Sequence, residues 1–300
     1  MFGNKPTTQQ LSVLRWYAAN TMGTTYTVGV APSGICFDGV NVWVVDGGSG
    51  NVMKILAHTG AVVGTYSVGA TPYGICFDGT NIWVANSGGG NVTKLLASTG
   101  AVVGTYSASI TPYVLCFDGT NIWVASGSTV YKLQASTGTL LGTYTVGTAL
   151  ILGICFDGNN IWVASDAANT VTQLLASNGS VLATYTVGTG PKGLCFDGSC
   201  VWVANSGSSN VTKILVNPPG SSVPGAVIGT YSAGSGPTGV CFDGTNIWVT
   251  NNISNNVTVL LASTGALEGT FSVGTGPSGV CFDGTNLWVV NGGSNNVSVL

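Results

Sequence analysis

Charge is what this sequence has least of. Only 6% of its 300 residues are Asp, Glu, Lys or Arg, against roughly 25% in a typical soluble domain. Lys and Arg together number 7 and net charge is −3, with no basic cluster. Nucleic acid is therefore excluded as a partner, because binding it requires several phosphate-neutralising cations on one face. Acid–base residues are as scarce: one His, His58, one Glu, Glu268, and nine Asp, seven of them in a single repeated turn. Catalysis needs nucleophile, base and acid within hydrogen-bond reach, and little here could build such a group. No convergent catalytic set emerges, so a non-enzymatic protein is expected. No run approaches the roughly 18 apolar residues that span a bilayer. Residues 1–25 lack the basic segment and apolar core of a signal peptide, and their one apolar stretch, Leu11 to Ala19, is broken by Arg15. Either the chain is not exported by that route or a leader is missing from it.

What the chain does have is repetition. Cys-Phe-Asp-Gly begins at Cys36, Cys76, Cys116, Cys155, Cys195, Cys241 and Cys281, and each copy is followed by a Trp. A period near 40 residues marks units that stack on copies of themselves. Seven of the eight cysteines occupy one repeat position, and seven equivalent thiols cannot pair completely. They read as small buried hydrophobes. Zinc fails on spacing, since no CxxC or CxxH occurs.

In the copy from Gly74 to Ser109, four β-prone runs are bounded by turn residues: 75–77, 81–85, 92–97 and 102–107. The first two meet at Asp78-Gly79, a hairpin-turn signal. The pattern predicts an all-β seven-bladed propeller of four-stranded blades. The last copy stops within its third strand, at Asn296 to Leu300, while Met22 to Gly29 reads like a fourth strand. The N-terminal segment is thus expected to complete the last blade and close the ring, which removes unpaired edges. A propeller over residues 22–300 and an extension over 1–21 follow. Leu11 to Leu14 resembles Val297 to Leu300, but the C-terminal copy is expected to fill the blade and Leu11 to Ala19 to pack outside it.

Trp248-Val-Thr-Asn251, Asn256-Val-Thr-Val-Leu and Val273-Gly-Thr-Gly-Pro277-Ser-Gly-Val-Cys resemble the YVTN-type propeller repeat of bacterial and archaeal surface and periplasmic proteins. NHL repeats and the streptogramin (virginiamycin B) lyases are similar too. The resemblance covers residues 22–300 and implies a propeller and an extracellular or cell-surface setting. It does not imply one activity, because such folds serve many. The lyases use a His and Mg²⁺-holding acids on one face. Here His58 lies in a loop between third and fourth strands and Glu268 just past an equivalent loop two blades away, so no lyase site is expected.

The seven Trp of the second strands (Trp43, Trp83, Trp123, Trp162, Trp202, Trp248 and Trp288) read as core. The Asp-Gly carboxylates, one per blade, read as bonded to their own turns rather than to a metal. Asn-Val-Thr/Ser triplets at Asn91, Asn210, Asn256 and Asn296 fit a glycosylation pattern, but their fixed repeat position points to a structural role.

Function is expected where repeats differ. One face carries a polar ring after Trp-Val-X: Asp46, Asn86, Ser126, Ser165, Asn205, Asn251 and Asn291. Beside it, Pro-containing loops present Ser33, Tyr73, Tyr113, Leu150-Ile151-Leu152, Lys192, Thr238 and Ser278, with Asp166 nearby. Aromatic platforms among Asn and Asp suit a carbohydrate or peptide. Asp46, Tyr73, Asn86, Tyr113, Asp166, Lys192, Asn205, Asn251 and Asn291 are the candidate ligand-binding residues; no cofactor or metal is called for. The expected role is adhesion, assembly or ligand recognition. The alternatives are a lyase-like enzyme with an unrecognised site, or a structural module of a homo-oligomer or larger assembly, which so neutral a surface would permit. A Pro/Gly-rich insertion from Asn217 to Gly225 is expected to form a stiff surface loop.

Overall fold

The computed structural model describes residues 23–107, 111–216 and 225–300. The first strands are β1 (Thr24–Thr27), β2 (Pro32–Phe37), β3 (Asn41–Asp46), β4 (Asn51–Leu56) and β5 (Val62–Ser67). Strands β2 to β5 form an antiparallel four-stranded blade, and the same order recurs in six further sheets. The innermost strands contact one another in a closed ring, that of blade 7 returning to β2. The molecule is a seven-bladed β-propeller.

Burial follows each strand's place in the blade. All six residues of β3 are buried, since this strand is covered by blades on both sides. Such strands read as continuous apolar runs. The outermost strand β5 alternates exposed and half-buried positions. Apolar clusters lie between successive blades; Trp83, Ala85 and Val92 of blade 2, for example, pack on Leu115, Ile122, Val124 and Leu133 of blade 3.

Each Asp-Gly turn does more than reverse the chain. Asp38 Oδ1 accepts from the backbone N–H of Val40 (2.9 Å) and Asn41 (2.6 Å), and Oδ2 accepts from Trp43 Nε1 (2.8 Å). The Asp–indole bond recurs in all seven blades at 2.6–2.8 Å. Gly39 follows at φ +96°, a conformation that costs glycine little. Partial burial alone would raise these carboxyls, but the indole and amide donors outweigh it. They hold Asp38, Asp78, Asp118, Asp197 and Asp243 below the ordinary carboxylate value.

The Trp side chain then joins blade to blade. Trp83 packs against Tyr106 of its own outer strand (centroids 5.4 Å apart), while Lys94 Nζ lies 5.0 Å from the Trp83 ring centroid. That ammonium donates to the Ala135 carbonyl of the next blade at 2.7 Å. Lys54, Lys132 and Lys213 do the same at 2.7, 2.7 and 2.6 Å. Four of the chain's few cations are thereby buried in blade interfaces.

Ring closure follows the expected route. Strand β1 pairs antiparallel with the C-terminal strand, Thr24 opposite Val299 and Thr27 opposite Asn296. Tyr26 stacks on Trp288 at 5.6 Å, reproducing the Trp–Tyr contact of the other blades. Ser278 Oγ donates to Ser33 O (3.1 Å) and Ser33 Oγ to Tyr73 O (3.0 Å), linking blades 7, 1 and 2 at the axis. The expectation for Leu11 to Ala19, and most of that for the insertion (217–224), fall outside the described residues. The described cysteines are unpaired. The seven repeat thiols sit among the inter-blade clusters, and burial pushes each above its ordinary value, keeping it protonated.

Asp118→Ala strips the acceptor from the Trp123 indole and from two turn amides. At roughly 1–3 kcal/mol per buried donor left unsatisfied, we expect a loss of about 2–4 kcal/mol in chemical denaturation. A loss below about 0.5 kcal/mol, the range of ordinary surface changes, would show that the turn does not anchor the Trp.

Candidate functional site

The innermost strands begin earlier than their apolar runs suggest. In blade 2 the strand spans Pro72–Phe77, so Tyr73 belongs to the strand rather than to the preceding loop. Proline takes the first strand position, where no ladder donor is required. The register shifts between Pro72 and Ile75, and an irregularity at the same place recurs in every blade. Such bulges re-aim side chains next to functional sites. Here the bulge falls on the variable position: Ser33, Tyr73, Tyr113, Leu152, Lys192, Thr238 and Ser278.

Residues from all seven innermost strands line one cavity of about 350 Å³, which therefore lies on the propeller axis. Ser33, Tyr73, Leu152, Lys192, Thr238 and Ser278 contribute to its wall. Tyr113 stands beside Tyr73, ring centroids 5.6 Å apart at an interplanar angle of 78°, an edge-to-face pair. The cavity's next layer is glycine in six blades (Gly34, Gly74, Gly153, Gly193, Gly239 and Gly279). A Cβ at any of these would collide with the backbone carbonyl of the neighbouring blade. The floor is apolar, made of Ile35, Ile75, Leu115, Ile154, Leu194, Val240 and Val280. Neither the glycine layer nor the contribution of Asn252 to the wall follows from the repeat alignment alone, although six recurrent glycines were a visible signal.

The polar ring is a different matter, and the structure corrects it. Asp46, Asn86, Asn205, Asn251 and Asn291 are fully buried, each 0% exposed. They cannot meet a ligand at the surface. Asn86 Nδ2 donates to Asn91 Oδ1 (2.8 Å) and Thr93 Oγ1 (2.9 Å), and its Oδ1 accepts from Gly69 N at 3.1 Å. Asn205, Asn251 and Asn291 bond the next strand in the same way. A glycine of the incoming loop (Gly69, Gly188, Gly234 or Gly274) sits so close that a Cβ would overlap the Asn side chain. Asn86 ties its loop to the blade, whereas Asn205, Asn251 and Asn291 bond only the next strand and their Oδ1 atoms have no partner.

Asp46 puts an acid where those blades carry an amide. Both its oxygens, and Asn51 Oδ1 on the paired strand, lack hydrogen-bond partners. Burial pushes its pKa up to about 7, the nearby Gly29 N–H opposing only weakly. Once protonated, the carboxyl offers the donor that Asn86 supplies to Asn91. Of the remaining candidates, Lys192 lines the cavity, whereas Asp166 lies outside the lining, near the Gly190 turn that leads to Pro191. His58 and Glu268 are both exposed, His58 in the turn between β4 and β5, and neither reaches the cavity. Among the described residues no group of three or more His, Cys, Asp or Glu is placed to hold a metal ion. No helix among the described residues is long and apolar enough to cross a membrane.

No protein-family model matches this chain, and neither does any curated protein sequence. Among solved structures, hydrazine synthase from Kuenenia stuttgartiensis is similar, with a TM-score of 0.77 at 18% identity, over 90% of this chain and 95% of that one. At that identity the likeness concerns the fold.

Because the folded chain keeps the Asp46 proton while the unfolded chain releases it near the ordinary value of 3.8, stability is lost as pH rises from about 4 to about 7. Asp46→Asn supplies the donor at every pH. It is expected to be more stable than the parent by about 1–3 kcal/mol at pH 8 and equal to it near pH 4. Denaturation curves at the two pH values decide this; an equal difference at both would show that Asp46 does not titrate in this range.

Proposed function

We propose that this chain is a non-enzymatic binding propeller whose ligand enters the axial cavity, serving adhesion, assembly or ligand recognition at a cell surface. The observation that carries this reading is where the repeats diverge. Cys-Phe-Asp-Gly is uniform in all seven blades, yet the position three residues before its Cys changes from Ser to Tyr, Leu, Lys and Thr around the axis. Six of those seven residues, all but Tyr113, line a concave, mainly apolar cavity with a few polar groups, the usual form of a small-ligand site. The likeness to YVTN-type repeats supports a surface setting. A peptide or glycan terminus is the proposed class of partner.

The test is a glycan-array and peptide-display screen of the parent and of the Tyr73→Ala/Tyr113→Ala double variant. We expect a ligand held by the parent to bind the variant about tenfold more weakly or worse, a change worth about 1.4 kcal/mol, with melting unaffected. A ligand held equally by both would move recognition away from the axis.

A second reading, assembly through the outer rim, is favoured by one specific observation. Val62-Val63, Val102-Val103, Leu140-Leu141, Val181-Leu182 and Val227-Ile228 repeat at one position of the outermost strands, each residue 43–57% exposed. Apolar patches repeated around a nearly uncharged disc favour association with further copies. Sedimentation should then show oligomers that Val102→Lys/Val103→Lys reduces; a parent that stays monomeric at high concentration ends this reading.

A further inference from the structure

We infer that the axial cavity recognises a carboxylate carried by a small aromatic body with an N–H donor, as in an aromatic α-amino acid or the C-terminal residue of a peptide. This rests on the axial binding site proposed above and specifies its ligand.

Going around the axis, the wall divides in two. Blades 2 to 4 present Tyr73, with Tyr113 against it, and Leu152; blades 5, 6, 7 and 1 present Lys192, Thr238, Ser278 and Ser33. An aromatic or apolar arc thus faces a polar arc across about 350 Å³. That volume sits at the small end of ligand sites, enough for one residue-sized group. Tyr73 and Lys192 stand three blades apart in a ring of seven, nearly opposite each other.

The polar arc has a definite sign. Lys54, Lys94, Lys132 and Lys213 are consumed by blade interfaces. Lys192 makes no hydrogen bond or ion pair within the described residues. No Asp or Glu lines the cavity. An ammonium in a partly desolvated, acid-free pocket favours an anion, and charge-assisted bonds are about twice as strong as neutral ones. The hydroxyls beside it are already committed as donors. Ser33 donates to Tyr73 O at 3.0 Å, Ser278 to Ser33 O at 3.1 Å and Thr238 to Pro277 O at 3.1 Å. Asn252 Nδ2 likewise donates to Pro277 O at 3.2 Å. What these groups still offer is acceptor oxygen. The pocket therefore supplies one cation, several acceptors and an aromatic wall. Its complement carries an anion, an N–H donor and a ring.

The probes are N-acetyl-L-phenylalanine, N-acetyl-L-phenylalaninamide and free L-phenylalanine, titrated calorimetrically against the parent and Lys192→Met. The acid is expected to bind the parent at least about tenfold more tightly than its amide, a ratio that one charge-assisted bond supports. That ratio should collapse toward one in Lys192→Met, whose melting temperature should match the parent's because the ammonium bonds nothing in the blade. Tighter binding of the N-acetyl acid marks a peptide terminus as the source; tighter binding of free phenylalanine marks the amino acid. Both support the inference. Equal affinity for acid and amide, persistence of the ratio in Lys192→Met, or no binding of either acid at millimolar concentration overturns it. A neutral ligand that depends on Tyr73 but shows no charge preference would overturn the carboxylate and leave the axial site standing.

Discussion

The bond from the Trp indole to the Asp carboxylate is the contact on which the propeller turns. It fixes the Asp-Gly hairpin and the angle of the Trp side chain in one step. Asp78 does this only because its other oxygen is held by two turn amides, so the carboxylate has no rotamer freedom left to lose. A buried indole needs an acceptor, and an acid in a tight turn needs donors. Each answers the other's requirement. With the Trp plane set, the Tyr of the outer strand and the Lys of the third strand have a surface to lie on. Only then does the Lys ammonium reach the carbonyls of the next blade.

That chain of dependence explains the composition. A chain with 6% charged residues would be expected to display those charges to solvent. Instead, four lysines are spent between blades and seven aspartates in turns. Long Lys stems cover Trp rings while their heads find carbonyls, so the buried ammonium groups are bonded within interfaces that remain apolar in area. Blade 6 shows what happens without this set. It carries Val259 in place of Lys and Phe271 in place of Tyr, and its Trp248 is the one repeat Trp left partly exposed.

Much of this was legible in the sequence, and the limits have physical causes. Period, strand number and the N-terminal closing strand follow from motif spacing, because each blade must be completed by four strands and no edge can stay open. The depth of side chains was not legible. Asn86 and Asp46 sit beside exposed turns in the sequence, but Gly69 and Gly29 fold over them from a loop some 17 residues upstream, and nothing local to the Asn announces that cover. Tyr73 was placed on a loop because proline reads as a breaker. The structure starts the strand at that proline and bulges immediately after it, which turns a loop residue into a channel residue. The role of the lysines was equally hidden, since their partners lie 41 to 49 residues away in the next blade.

A repeat protein of this kind separates its uniform contacts from its variable ones by position. Each blade devotes its Asp and Trp positions to the same turn–indole bond, and its Cys to the packing between blades. The second residue of the innermost strand is under no such demand. It lies at the bulge at the axial end of the strand, where the next residue is a glycine in six blades and lets the neighbouring backbone carbonyl pack against it. Six of these seven positions line one cavity and can vary while the scaffold stays constant. In this chain they have diverged into an aromatic arc and a polar arc with one uncommitted lysine. The scaffold thus leaves the axial wall free to differ from blade to blade without disturbing the contacts that hold the blades together.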